Sequence, residues 1–123
     1  MHGLKDLRVV DASSGVAGPY CSKLFADAGA DVIKLEPPEG DSLRGWSATG
    51  AELGDQDGAL FQHLNASKRS VIGRLEDALG EGGGDDGVRE LVASADLVIE
   101  DAAPGALDRQ SLLDAWPGMV LLS

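Results

Sequence analysis

Cysteine, aromatic residues and basic residues are all scarce in this sequence of 123 residues. Its single cysteine, Cys21, excludes a disulfide within the chain, which is typical of a reducing compartment, and we therefore expect a cytoplasmic protein. Aromatic residues make up only 4% of the chain. A buried core must therefore consist of Val, Leu, Ile and Ala, the residues that dominate parallel sheets in α/β proteins.

The charge balance is strongly acidic, with 10 Lys and Arg residues against 21 Asp and Glu residues. This balance disfavours binding to nucleic acid or to an anionic membrane, because basic residues supply the affinity there. No apolar run approaches the length of a membrane span, no targeting segment precedes the first apolar run, and no Cys, His and Asp spacing is typical of a metal site. We expect no nucleic acid, membrane or metal partner, although backbone donors and a few cations can still hold an anionic ligand.

The stretch from Leu7 to Trp46 has the pattern of a βαβ unit followed by a polar loop. Short apolar runs predict strands at Leu7–Val10 and Val32–Leu35. The helix between them is predicted to have Pro19 at its first position and Gly29 at its end. Four residues at spacings i, i+3, i+4 and i+7 predict its buried stripe: Cys21, Leu24, Phe25 and Ala28.

The remaining sequence alternates between predicted helices and strands. Further strands are expected at Arg69–Ile72, Leu97–Ile99 and Met119–Leu122, helices at 59–64, 88–95 and 107–116, and loops at 37–58 and 79–87. Such alternation predicts one α/β domain, a parallel sheet with flanking helices. The sheet ends at its last predicted strand without a closing helix. We therefore expect it to be incomplete, as a fragment or as a half that needs a partner.

The turn after the first strand, Gly15 to Pro19, can bind the phosphates of a nucleotide-like ligand through backbone N–H groups at a helix start. Its spacing is G-x-x-G, and the G-x-G-x-x-G of dinucleotide sites is missing, although Glu36 lies where a ribose-binding acid would be. The alternative is a tight turn whose glycines serve steric needs alone. Asp11, at the strand end, is expected to be a turn or capping residue.

Four segments resemble the class III CoA-transferases in order and spacing: VVDASSGVAGPYCSKLFADAGADVIKLEPPEGDSLRGW, FQHLNASKRSV, ADLVIEDAAPGALDR and GMVLLS. That family includes formyl-CoA and carnitine CoA-transferases and the related α-methylacyl-CoA racemases. The resemblance implies a Rossmann-like large domain, a small domain, interlocked subunits and a chain about three times longer than this one. It also implies an aspartate nucleophile that attacks the acyl-CoA thioester and lies beyond Ser123. We expect residues 1–123 to be the N-terminal CoA-binding portion, without a catalytic residue and inactive when isolated.

The resemblance assigns a coenzyme A site position by position. Gly15, Val16 and Ala17 match the loop that contacts the CoA nucleotide, and Arg109 matches an arginine that reaches the CoA phosphates. Other positions depart from the family, since Pro37 and Glu76 replace basic residues, and Asp101 and Ala102 replace an asparagine and an aromatic residue. Arg74 can substitute for the missing lysine. The expected CoA contacts are Gly15, Val16, Ala17, Arg74, Asp101, Ala102 and Arg109.

Other interpretations remain open from the sequence. The chain can be a non-catalytic half that assembles as a homodimer or with a longer partner chain, or it can belong to the racemase branch. A nucleotide-binding Rossmann domain is supported only by Glu36. Lys68 and Arg69 form either a solvated surface pair or a phosphate contact, and Arg44 with Trp46 forms a lid, an interface or ordinary loop packing.

Overall fold

The computed structural model describes residues 4–50, 52–54, 56–79 and 86–123. In these ranges the strands are β1 (Arg8–Ala12), β2 (Asp31–Glu36), β3 (Arg69–Ile72), β4 (Leu97–Glu100) and β5 (Val120–Leu122). The α-helices are α1 (Ala17–Asp27), α2 (Ala59–Asn65), α3 (Asp86–Ala93) and α4 (Arg109–Ala115). Short 3-10 helices lie at Ser42–Gly45 and Leu75–Leu79. The predicted α/β fold is confirmed.

All strand pairs are parallel, in the order β3-β2-β1-β4-β5. The central strands carry apolar side chains on both faces because helices cover both sides. In β1, Val9 belongs to the core cluster that contains Phe25 of α1, whereas Val10 belongs to the cluster that contains Val92 of α3 and Leu112 of α4. The two larger core clusters are therefore apolar layers, one on each side of the sheet, and their buried residues are mainly Val, Leu, Ile and Ala as predicted. A smaller cluster contains Leu43, Phe61 and Leu64.

Helix α1 is rotated relative to the predicted stripe. Leu24 is 53% exposed, and Ser22 is fully buried. Cys21 and Phe25 contact the core as predicted, together with Ala26. Ala28 is exposed too and lies just after the end of the helix. The predictions for Leu24 and Ala28 were wrong because they weighed only apolar residues and missed the polar partner of Ser22 beneath the helix.

Most predicted boundaries shift by one or two residues. Helix α1 begins at Ala17, so Pro19 is its third residue, still in the first turn, where a missing N–H costs no intrahelical bond. Helix α3 begins at Asp86, inside the segment predicted as a loop, and the middle of that segment, 80–85, lies outside the described residues. None of the helices in the described ranges is both long and apolar enough to cross a membrane.

Candidate functional site

The sheet reverses its direction of winding between β1 and β4, because β2 and β3 lie on one side of β1 and β4 and β5 on the other. In open parallel sheets, ligands bind at the carboxyl ends of the strands at such a switch point. A cavity of about 310 Å³ lies there. Its lining includes Ala12, Ser13, Ser14, Pro37, Glu39, Gly40, Asp41, Gly73, Arg74, Glu76, Glu100, Asp101 and Ala102. We call this cavity the crevice.

The turn after β1 is shaped by two glycines for different reasons. Gly15 has φ +72°, a left-handed conformation that costs other residues free energy. A Cβ at Gly18 would lie 2.0 Å from the Oγ of Ser13. Ser13 in turn is held by Asp11, whose carboxylate accepts its backbone N–H at 2.9 Å and its hydroxyl. The steric interpretation therefore explains both glycines, and Asp11 is a turn residue as predicted.

The structure brings together three of the predicted CoA contacts, since Arg74, Asp101 and Ala102 all line the crevice. Gly15, Val16 and Ala17 follow the lining residues Ser13 and Ser14 at the start of α1 but do not themselves line the cavity. Arg109, the first residue of α4, is also outside the lining. The expected contacts thus divide into a group in the crevice and a group at its margin.

Arg109 is held by Glu100, the last residue of β4. Its Nε donates to Glu100 Oε1 at 2.6 Å, and its Nη2 donates to Glu100 Oε2 at 3.1 Å and to the carbonyl of Ala102 at 3.0 Å. Glu100 also accepts the N–H of Ala102 at 2.8 Å and the hydroxyl of Ser123. Burial raises the pKa of Glu100, but these hydrogen bonds outweigh burial and hold the pKa below its usual value.

Two further carboxylates bind donors in the crevice. Arg74 Nη2 donates to Glu39 Oε2 at 2.5 Å, across the loops that follow β3 and β2. The Oδ2 of Asp101, after β4, accepts the backbone N–H of Ser14, after β1, at 3.0 Å. Hydrogen bonds within the loop and from Arg74 lower the pKa of Glu39. The chain's own carboxylates therefore already occupy donors that an anionic ligand would use.

A buried network lies beside the crevice, between the sheet and helices α1 and α2. Lys68 Nζ donates to Asn65 Oδ1 at 2.9 Å and to the carbonyl of Pro19 at 3.0 Å, and it lies 3.4 Å from Asp11 Oδ2. The Oγ of Ser22 donates to the same Asp11 oxygen at 2.5 Å. Both predictions for Lys68, a solvated pair or a phosphate contact, were wrong because its side chain is only 1% exposed. Burial lowers the pKa of Lys68, and Asp11 opposes that shift.

The neighbouring Arg69 is exposed and pairs with Asp31 at 2.6 Å, at the opposite end of the strands. Glu36 does not offer a free carboxylate for a ribose. It is buried, and its carboxylate accepts two hydrogen bonds from Arg44, from Nε to Oε1 at 2.5 Å and from Nη2 to Oε2 at 2.7 Å. Arg44 holds the pKa of Glu36 below its usual value and also packs 4.2 Å from the ring centre of Phe61. Arg44 therefore serves loop packing, and the dinucleotide interpretation loses its only support.

A sequence profile of CoA-transferase family III matches residues 4–115. The chain belongs to CoA-transferase family III. It is 40% identical over 111 residues to the succinyl-CoA:mesaconate CoA-transferase of Haloarcula hispanica, which covers 89% of this chain and 27% of that protein. It is 37% identical over 106 residues to the formyl-CoA:oxalate CoA-transferase of Streptomyces coelicolor, which covers 86% of this chain and 24% of that protein. The resemblance found in the sequence is confirmed.

Solved structures of the family agree with this fold. A CAIB/BAIF family protein from Brucella suis matches with a TM-score of 0.79 and 37% identity, covering 97% of this chain and 32% of that one. The chain spans about a quarter to a third of the length of these family III relatives. In the described ranges, no group of three or more His, Cys, Asp or Glu side chains could hold a metal ion.

Sequence reasoning missed three residues that line the crevice and bind partners there: Ser14, Glu39 and Glu100. Glu100 had a usable signal, because a charged residue ends an otherwise apolar strand, LVIE, and such a residue needs a partner. Ser14 and Glu39 had none, because their partners lie 87 and 35 residues away in the chain.

Proposed function

We propose that this chain is the CoA-binding portion of a CoA-transferase that moves CoA between carboxylic acids. The observation that carries the proposal is the crevice at the switch point, in a chain that belongs to CoA-transferase family III. Its volume, about 310 Å³, lies at the lower end of the range for small-molecule sites, so it suits one part of a CoA molecule. The binding sites for the acyl donor and the acceptor acid would then lie in other parts of a longer assembly.

Two arginines supply the positive charge that CoA phosphates require. Arg74 lines the crevice, and its side chain is 42% exposed, so a ligand can reach it. Arg109 lies at the margin with its Nε and Nη2 bound to Glu100, and Nη1 has no hydrogen-bond partner among the described residues. A guanidinium oriented in this way presents a fixed donor to a phosphate oxygen. Gly15, Val16 and Ala17, at the start of α1, would contact the nucleotide.

The transfer step itself requires a carboxylate nucleophile, and we assign none in this chain, because the family resemblance matches no carboxylate of residues 1–123 to that role. Asp11, Glu36, Asp41 and Glu100 are buried, and each lies in an ion pair with a lysine or an arginine. A nucleophile must instead be accessible to the thioester carbon. We therefore infer that the 123-residue chain alone has no turnover and that it works with a longer chain or a second copy. The single cysteine supports a cytoplasmic location for this proposal. The transferase branch is favoured over the racemase branch because the relatives described above are named as CoA-transferases.

Calorimetric titration of the purified chain with CoA, with NAD as the control ligand, tests this proposal. We expect saturable CoA binding and none to NAD. Arg109→Ala should weaken CoA binding about tenfold, because it removes a charged donor. The matched control is Arg69→Ala, an exposed arginine at the other end of the strands, which should leave CoA binding unchanged. A folded chain that binds neither ligand would refute the proposal.

A second candidate function is assembly without chemistry. Val16, the N-cap residue of α1, lies four and eight residues before Tyr20 and Leu24 of the helix, and all three side chains are about half exposed. Val120 and Leu122 of the edge strand β5 are exposed as well. Contiguous apolar surface and an unpaired strand edge are features of protein interfaces. Light scattering after gel filtration should show a dimer that Tyr20→Ser converts to monomer, whereas a monomeric parent chain would contradict this candidate.

A further inference from the structure

The donors that the proposed CoA site needs are already bound to carboxylates of the chain itself. The three pairs are Ser14 N–H with Asp101, Arg74 with Glu39, and Arg109 with Glu100. Each carboxylate comes from a loop or strand end other than that of its donor. The first two pairs line the crevice, so they face any ligand that enters it.

The Asp101 contact joins the two strands that define the switch point. Its Oδ2 lies 3.0 Å from the backbone nitrogen of Ser14 and 3.5 Å from the Ser14 hydroxyl. Both residues are exposed, so this carboxylate can move aside without leaving a buried group unpaired. A backbone N–H beside a helix start is a good anion donor, and Asp101 takes that position as an internal anion.

The contact between Glu39 and Arg74, which also lines the crevice, is likewise an exposed carboxylate bound to a donor. Its carboxylate binds Arg74 at 2.5 Å, with side-chain exposures of 59% for Glu39 and 42% for Arg74. An ion pair this exposed contributes little net free energy, so a phosphate can replace Glu39 at low cost. Arg74 is the only cationic side chain in the described lining of the crevice. Glu39 therefore neutralises the main positive charge with which the crevice could attract an anion.

We propose that Asp101 and Glu39 are specificity-determining residues that act as internal anions and exclude small external anions from the crevice. The proposal deepens the proposed function, on which it rests, by stating what selects the ligand of that site. A ligand must bring enough additional contact to displace two carboxylates. A large nucleotide such as CoA offers that contact, whereas inorganic phosphate and pyrophosphate do not.

The test uses inorganic pyrophosphate as the probe and the ¹⁵N-labelled chain as the sample. Asp101→Asn and Glu39→Gln keep side-chain shape and remove one charge each. Each should strengthen pyrophosphate binding about threefold, and the double variant about tenfold, because a neutral amide oxygen holds the donor less tightly than a carboxylate does and the nearby negative charge is removed. The resonances of the Ser14 amide and the Arg74 Nε–H report binding at the two donors.

The matched control is Glu76→Gln. Glu76 lines the same crevice, and no hydrogen bond or ion pair of the described residues involves its carboxylate. The substitution removes the same charge from a carboxylate that holds no donor of the described residues, so its effect should be clearly smaller. Equal strengthening by Glu76→Gln, or no strengthening by either test variant, would overturn the proposal.

A parallel CoA titration of the same variants separates the two claims. If pyrophosphate binds the double variant more tightly and CoA binds neither protein, the internal anions are supported and the proposed CoA function fails. If CoA binds the parent chain but pyrophosphate affinity is unchanged in both variants, the CoA function stands and the internal anions are refuted.

Discussion

Two cations flank strand β3, and their surroundings are opposite. Lys68, directly before the strand, has a side chain 1% exposed and lies beside Asp11, which is fully buried. Arg74, after the strand, has a side chain 42% exposed and pairs with Glu39, which is 59% exposed. Both are basic residues paired with an acid. Lys68 lies near the carboxyl end of β1, and Arg74 lines the crevice. Burial therefore decides their roles: Lys68 holds the fold, whereas Arg74 remains available to a ligand.

The pair Arg109–Glu100 is intermediate between these extremes, because Glu100 is 1% exposed and Arg109 is 34% exposed. The three ion pairs form a series, from Arg74–Glu39 through Arg109–Glu100 to Lys68–Asp11, in which the paired side chains are progressively less exposed to water. Loss of one partner should cost most where the other partner stays buried. The series therefore predicts a graded set of stability effects.

The largest effect is expected for Lys68→Met. The substitution leaves the Asp11 carboxylate buried without a cation, and we expect a loss of about 3–5 kcal/mol in the free energy of unfolding. Urea unfolding measures it. Arg69→Met, at the adjacent exposed position, is the control and should cost less than about 1 kcal/mol.

The double variant Asp11→Asn/Lys68→Met sharpens this result. Because the asparagine carries no charge, the double variant should lose less stability than the sum of the two single variants. Strict additivity would show that the two side chains do not act as a pair, and the comparison with Arg74 would then fail.

Gly18→Ala should have the next largest effect. The new Cβ would meet Ser13 Oγ at 2.0 Å and Ser13 Cβ at 2.3 Å, and Asp11 holds Ser13 in place. We expect a loss of about 1–3 kcal/mol from overpacking. Gly45→Ala, where no atom lies within 4 Å of the new Cβ, provides the matched comparison. Similar losses at both glycines would disprove the steric explanation of the turn.

Glu100→Gln should have a smaller effect that depends on pH. The folded-state pKa of Glu100 lies below its ordinary value of 4.5, so its ionised form stabilises the fold above that value. As the pH falls through the folded-state pKa, this contribution is lost. The parent chain should exceed the variant by about 1 kcal/mol at neutral pH, with the difference shrinking in acid. A constant difference across a urea series from neutral to acid pH would contradict this assignment.

Arg74→Ala should have the smallest effect on stability and a clear effect on binding. Its pair is exposed, so the urea midpoint should not change measurably. The affinity for CoA should fall about tenfold, because a charged donor is lost from the crevice. A large stability loss without a change in CoA affinity would place Arg74 with Lys68 and remove the contrast between them.

Much of the fold could be predicted because its signals are local. Short segments of three or four residues predicted all five described strands, and Gly29 predicted the end of α1, where the helix ends at Asp27. The buried face of α1 was predicted less well. Ser22 is buried because Asp11 lies beneath it, and an apolar stripe carries no information about such a polar partner.

The site was predicted only in outline. The turn after β1, Arg74, Asp101 and Ala102 were expected, and the last three line the crevice. Whether they bind CoA remains a prediction. Their partners were not expected, because a carboxylate in a loop gives no sign of which donor it will meet.

The order of the elements, the parallel α/β class and the membership of CoA-transferase family III could all be read from the amino-acid sequence. Periodicity, turn residues and motif spacing involve residues that are close together in the chain, so these signals can be recognised without the three-dimensional structure. Two contacts became evident only in the folded structure. Lys68 is buried against Asp11, 57 residues away, and Asp101 accepts a hydrogen bond from Ser14, 87 residues away. Those pairings depend on strand order and loop approach, and burial then determines which of them is structural and which a ligand can displace.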